Sequence, residues 1–187
     1  MATSRCGRTA SSAAAYGGKA SDSRVIGLRV PDVPEGSVRT IDIDLSTTIA
    51  APRAAVWRYL VDWEGLHRWM SELSALRITS AQREGVGVEG EATVRIGGIT
   101  TMDRIRVTAW DPPASLMIEH LGWVSGSGVM GCDEAGASTR FWWRESLRPP
   151  LGVLGALGMR ALTPVMRRTF EADVRRLKAL VEGGTRP

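Results

Sequence analysis

Ile41-Asp-Ile-Asp-Leu-Ser-Thr-Thr-Ile49 is the stretch on which the fold turns. Ile41, Ile43, Leu45, Thr47 and Ile49 alternate with Asp42, Asp44, Ser46 and Thr48, the two-residue period of a half-buried strand. Ala51-Pro52 stops that strand, because proline offers no N–H to a ladder and its fixed φ suits a first helical position. Val56, Trp57, Leu60 and Val61 then recur at helical spacing and predict a short helix. Gly65 is expected to break it, after which Leu66, Trp69, Met70 and Leu73 form a second short apolar stripe. One strand followed by two small helices is the opening this predicts.

Downstream the pattern changes twice. Short alternating runs cover 76–79, 89–96, 101–110, 116–121, 124–132 and 138–147. Turn-forming clusters separate them, among them Asp111-Pro112-Pro113 and Glu134-Ala135-Gly136, so six strands in an antiparallel meander are predicted. Pro149-Pro150 ends the meander, and over 151–182 the period becomes 3.6, with Leu162, Met166, Phe170, Val174, Leu177 and Val181 on one face. Thr163-Pro164 predicts a kink, or a division into two pieces, because proline removes a helical hydrogen bond and threonine can cap a new start.

Composition bounds what such a chain does. At 187 residues it has room for one sizeable core, and 43% hydrophobic with 24% charged residues is the balance of a globular domain. No apolar run approaches the roughly 18 residues of a spanning helix, since Arg160 interrupts the best one, 151–159. The net charge of +4 comes from arginines dispersed among acids, without a zinc-ligand spacing or nucleic-acid motif, so specific nucleic-acid binding is not expected. Cys6 and Cys132 lie in unrelated contexts, which argues against a disulfide and for a reducing cytoplasm. Residues 1–37, rich in Ala, Ser, Gly and Arg, read as a disordered tail, 38–183 as the folded domain and 184–187 as a disordered end.

The order strand, two short helices, six strands, long helix resembles the START-like (SRPBCC) superfamily, in its polyketide cyclase/dehydrase and lipid-transport branch. Local matches are Ala51-Pro52 followed by Val56-Trp57, then Asp62, Leu66 and Trp69; Gly85, Gly87 and Gly90; Asp111-Pro112-Pro113; and Thr139 with Trp143. Together they cover roughly residues 40 to 182. The resemblance implies an α+β helix-grip fold: a seven-stranded curved antiparallel sheet, with two short helices after the first strand, wrapped around a long C-terminal helix. It also implies a ligand cavity, although such motifs specify architecture and not activity.

Within that fold, strand parity puts Ala92, Val94 and Ile96 on one face, and likewise Ile105, Val107 and Ala109, and Phe141 and Trp143. With Trp69 and Met70, and with Leu154, Met159, Leu162 and Met166 of the helix, these are candidates to contact a small hydrophobic ligand; any one of them alone is better explained by close packing, and the set carries the reading. Gly152, Gly155 and Gly158 leave one helix face bare, for a gate or for close packing. The polar residues on pocket elements are His120, Glu119, Glu145, Arg144, Tyr59 and Asp103. Glu145 shares the parity of Phe141 and Trp143, so it is the best inward carboxylate, either a proton donor or the partner of Arg104, Arg106 or Arg144. His120 is a base or a strand-end histidine bound to solvent or backbone, and His67 belongs to the surface.

Three readings follow. The first is a carrier or sensor of a small hydrophobic molecule, lipid, quinone or polyketide-like. The second is a polyketide cyclase/dehydratase using Glu145 or His120. The third is a ribosome-associating, toxin-like interaction protein relying on Arg167, Arg168, Arg175 and Arg176. None of them calls for a metal or a tightly bound redox cofactor, and the oligomeric state stays open.

Overall fold

A computed structural model of the chain describes residues 40–184. β1 (Ile41–Ile49) buries Ile41, Ile43, Leu45 and Ile49 and turns its aspartates to solvent, as its alternation predicts. α1 (Arg53–Leu60) buries Val56, Trp57, Tyr59 and Leu60. A 3₁₀ turn, Trp63–Arg68, takes the place of the second short helix, and Leu73 opens β2 (Leu73–Ile78) three residues earlier than the sequence suggests. Apolar spacings of three and four over so few residues fit one tight turn followed by extended chain as well as they fit an α-helix. The expected 1–37 tail and residues 185–187 lie outside the described residues.

β3 (Glu89–Ile96), β4 (Ile99–Asp111), β5 (Ser115–Leu121), β6 (Ser125–Ala135) and β7 (Ser138–Arg148) complete the meander. The strands lie in the order β1-β7-β6-β5-β4-β3-β2, every neighbouring pair antiparallel. β1 therefore closes on the last strand: Ile41 faces Leu147 and Ile49 faces Thr139. Thr139, fully buried, donates its hydroxyl to the Ala51 carbonyl at 2.7 Å, which ties the end of β1 to the start of β7.

α2 (Gly152–Glu182) lies against this curved sheet as one continuous 31-residue helix, not two pieces. Pro164 is tolerated inside it because its ring sits on the exposed side, while Thr163 donates its hydroxyl to the Met159 carbonyl at 3.0 Å. Met166, Phe170, Val174, Leu177 and Val181 are buried as the 3.6 period requires. Phe170 stacks on Trp143 with ring centroids 4.8 Å apart, and Trp69 meets the edges of Trp143 and Phe141. This aromatic cluster joins helix, sheet and 3₁₀ turn; such pairs add roughly 1 kcal/mol each beyond area burial. On the outer face Trp142 donates to Asp133 and lies under the Arg144 guanidinium, 5.0 Å from the ring centroid. That accounts for the tryptophan left outside when Trp143 turns inward.

Candidate functional site

Below the aromatic cluster the sheet and the first half of α2 diverge and leave a cavity of about 400 Å³. The wall is mostly apolar. Ala92, Val94 and Ile96 of β3, Ile105 of β4, Trp143 of β7, Met70, and Met159, Leu162 and Met166 of α2 all face it, as parity and helical spacing predict. Trp69, Val107 and Phe141 do not: they are closed into the packed core above. Nor does Leu154, which is 77% exposed on the outer side of α2. A 3.6 period cannot phase the first turns of α2, since Gly152, Gly155 and Gly158 leave them without a continuous apolar stripe.

One region of the wall is polar. Asp103 on β4, His120 on β5 and Glu145 on β7 all line the cavity. His120 Nδ1 lies 2.6 Å from Asp103 Oδ2 and Nε2 lies 3.2 Å from Glu145 Oε2. With an acid at each ring nitrogen, the imidazolium donates both its protons. Burial alone would push His120 down, but the hydrogen bonds to Asp103 and then to Glu145 outweigh it and push the pKa up to about 10. The second oxygens are also occupied: Trp143 Nε1 donates to Glu145 Oε1 at 2.7 Å, and the Gly122 N–H donates to Asp103 Oδ1 at 3.0 Å.

β6 lies between β5 and β7, and the register explains how Glu145 reaches past it. His120 faces Gly126 and Gly128 faces Glu145, so the intervening strand places no side chain between them. A Cβ on Gly128 would stand 2.4 Å from Glu145 Oε1.

Glu145 is thus inward, as its parity predicts, but its partner is His120 and none of the three arginines; Arg106 bonds Glu89 and Arg144 bonds Asp44. Of the other polar candidates, Glu119 is exposed, Arg144 lies outside, and Tyr59 is a core residue donating to the Leu180 carbonyl. His67 is on the surface, as expected.

A second acidic feature had no signal in the sequence. Glu72, in the turn before β2, lines the cavity, is 5% exposed, and its Oε2 has no hydrogen-bond partner. Next to it Asp173 of α2 is fully buried; its Oδ1 accepts from the Ser71 N–H, the Ser71 hydroxyl and Arg176 Nη1. Burial, the hydrogen bond to Asp173 and that residue's charge push the Glu72 pKa well above the usual carboxylate range, which favours its protonated form. Ser71-Glu72 interrupts an apolar run without periodicity, and only the three-dimensional meeting with α2 reveals the pair.

On the outer side of α2, Arg167 bonds Glu171 and Arg176 bonds Asp173, while Arg168 and Arg175 are exposed. Among the described residues no cluster of ligating side chains could hold a metal ion, and no helix is long and apolar enough to cross a membrane.

No curated protein matches the sequence. Similar solved structures include TTHA0849 of Thermus thermophilus, with 19% identity over 78% of this chain and 99% of that one and a TM-score of 0.67. The Zhui aromatase/cyclase of Streptomyces sp. R1128 is 21% identical over 76% of this chain and 94% of its own, with a TM-score of 0.65. A START superfamily protein of Mycobacterium smegmatis is 17% identical over 77% and 99%, also at 0.65. These likenesses are of fold. The sequence profile of one family matches residues 40–182, nearly all of the described domain, and by that match the chain belongs to the polyketide cyclase/dehydrase and lipid transport family.

Proposed function

We propose that the chain binds a small hydrophobic molecule, a lipid, quinone or polyketide-like compound, in the cavity between sheet and α2. The observation that carries this reading is an unfilled, mostly apolar space of about 400 Å³ with a few placed polar groups, next to a continuous cluster of buried hydrophobic residues. Well-packed interiors do not keep voids of that size without use, and ligand sites combine an apolar lining with a few placed polar groups. Met70, Val94, Ile96, Ile105, Trp143, Met159, Leu162 and Met166 are the proposed contacts. The cytoplasm is the proposed compartment: the Cys132 thiol is buried and free, and burial pushes its pKa up to about 12.

The test is a titration with a naphthalene-based fluorescent probe, followed by native mass spectrometry of protein from its own host. Saturable binding at one site per chain, weakened at least about tenfold when Val94→Phe and Leu162→Phe fill the space, is the expected result. Unchanged binding in that variant, or none at all in the wild type, would sink the reading.

A second reading, a cyclase or dehydratase acting through Glu145 or His120, draws support from the same polar wall and from belonging to a family that includes such enzymes. In it the His120 imidazolium places positive charge beside an oxygen where negative charge develops, and Glu145 moves the proton. His120 does not serve as a general base near neutral pH, because both its ring nitrogens already donate. Loss of turnover in Glu145→Gln with probe binding intact would separate this reading from a carrier.

A further inference from the structure

Nine large apolar side chains are exposed among the described residues; four of them line the cavity and three more lie on the first turns of α2. Ile99 and Met102 at the start of β4, Trp123 in the β5–β6 turn and Leu151 before α2 line the cavity and also face solvent. Val153, Leu154 and Leu157 extend the patch along the first turns of α2, whose Gly155 and Gly158 line the same space. Their exposure runs from 51% for Ile99 to 77% for Leu154, far above the scattered single residues that any surface tolerates.

The charge around this rim has one sign. The three segments that build it, 92–102, 121–132 and 146–170, contain no aspartate or glutamate, whereas Arg95, Arg148 and Arg160 are exposed in them. Arg95 and Arg148 stand at the ends of β3 and β7 next to the turns of the rim, exposed on the outer face of the sheet, opposite to their cavity-lining neighbours Ile96 and Leu147. A second copy of this chain is a poor occupant, because docking two such rims would bring arginines against arginines. An exposed tryptophan and aliphatic side chains with arginines at their edge match the boundary between acyl chains and anionic headgroups, where long basic side chains reach the phosphates. The rim is drawn from three separate segments, two hairpin turns and a helix start.

We infer that the rim formed by Ile99, Met102, Trp123 and the first two turns of α2 docks the protein on an anionic lipid surface, with the cavity opening toward the acyl chains. Docking does not require the cavity to be filled. It would let an apolar molecule pass between bilayer and cavity without crossing water.

Flotation of the full chain with phosphatidylcholine vesicles and with phosphatidylcholine/phosphatidylglycerol vesicles tests this. The expected result is co-flotation with the anionic vesicles, weakened by salt and reduced by about tenfold or more in Leu154→Gln/Leu157→Gln. Both positions are exposed and outside the cavity wall, and glutamine is a good helix former, so this variant should fold and keep its binding of the naphthalene probe. Arg148→Glu/Arg160→Glu should abolish the preference for phosphatidylglycerol. A chain that binds probe but floats with neither vesicle overturns the inference and leaves the cavity reading standing. Equal flotation of the Leu154/Leu157 variant, or sedimentation velocity showing a dimer that this variant disperses, overturns it too. Flotation without probe binding supports the surface and counts against the cavity reading alone.

Discussion

Glu145 of β7 reaches His120 of β5 across a strand that contributes only Gly126 and Gly128 at the crossing points. The pair exists because β6 is bare there, so the polar wall of the cavity depends on two residues that make no polar contact through side chains.

The first prediction concerns the charge on His120. In the wild type the imidazole should stay protonated through neutral pH and titrate near its pKa of about 10, read from its ring resonances by NMR. Glu145→Gln removes one of the two acidic partners whose charge offsets burial, so the His120 pKa should fall toward the ordinary imidazole value. A methyl group at Gly128 should act the same way, because it displaces Glu145 Oε1 without touching either charge. An unchanged histidine titration in both variants would contradict the geometry.

The second prediction is the pH dependence that follows. The folded-state pKa of His120 is raised, so the folded state binds the proton more tightly than the unfolded chain does. The resulting stabilisation is fully present below about pH 6.5 and is lost as pH rises through about 10. At about 1.4 kcal/mol for each tenfold gain in proton affinity, it amounts to a few kcal/mol at most. Urea melts should find the stability gap between wild type and His120→Gln largest at mildly acidic pH and shrinking toward pH 10. A gap that widens with pH would reverse the assignment.

Glu72 gives the same sign of pH dependence, as a cost at high pH in place of a gain at low pH. Its folded-state pKa is also raised, but for a carboxyl this means that folding must take up or retain a proton once the unfolded chain has lost it. The cost begins above the unfolded value of about 4.3 and grows with pH until the folded pKa is passed. Glu72→Gln keeps the shape, stays neutral in both states and can donate to Asp173. It should therefore be more stable than wild type at pH 7 by about 1 kcal/mol or more, with no advantage at pH 4. Asp173→Ala should instead lose about 2–4 kcal/mol, because it frees the N–H and hydroxyl of Ser71 and leaves Arg176 unpaired. Denaturant midpoints at the two pH values check both.

These sites also mark how far the sequence carries. Strand parity alone turns Asp103, His120 and Glu145 inward, because each shares a face with apolar neighbours: Ile105, Ile118 and Trp143. What parity cannot supply is the identity of partners two strands apart, and Arg144, adjacent to Glu145 in sequence, is on the wrong face to reach it. Period-2 and period-3.6 patterns likewise recover β1, the meander and the second half of α2, where burial is one-sided. They fail for Trp69, Val107 and Phe141, since packed core and cavity wall are the same side of the sheet and differ only in depth along it. They fail again for Glu72, whose environment is made by a helix about a hundred residues downstream.

The last prediction tests the entrance. Leu151 and Gly152 both adopt positive φ, 63° and 58°, which reverses the chain into α2, and an ideal Cβ on Gly155 would stand 1.6 Å from the Pro150 carbonyl oxygen. By intrinsic propensity Gly155→Ala should strengthen the helix by about 1 kcal/mol. Here the clash is with backbone at the wall of the cavity, so the first turn must shift or unwind, a disturbance of roughly 1–3 kcal/mol that outweighs the gain. The expected outcome is a small net loss of stability with faster hydrogen exchange confined to 151–159 and faster release of the naphthalene probe. Gly158→Ala is the control: nothing lies within 4 Å of its Cβ, so propensity acts alone and the variant should be more stable, with probe release unchanged or slower. If both substitutions stabilise the protein equally, Gly155 is not held by close approach and the glycines serve helix flexibility instead.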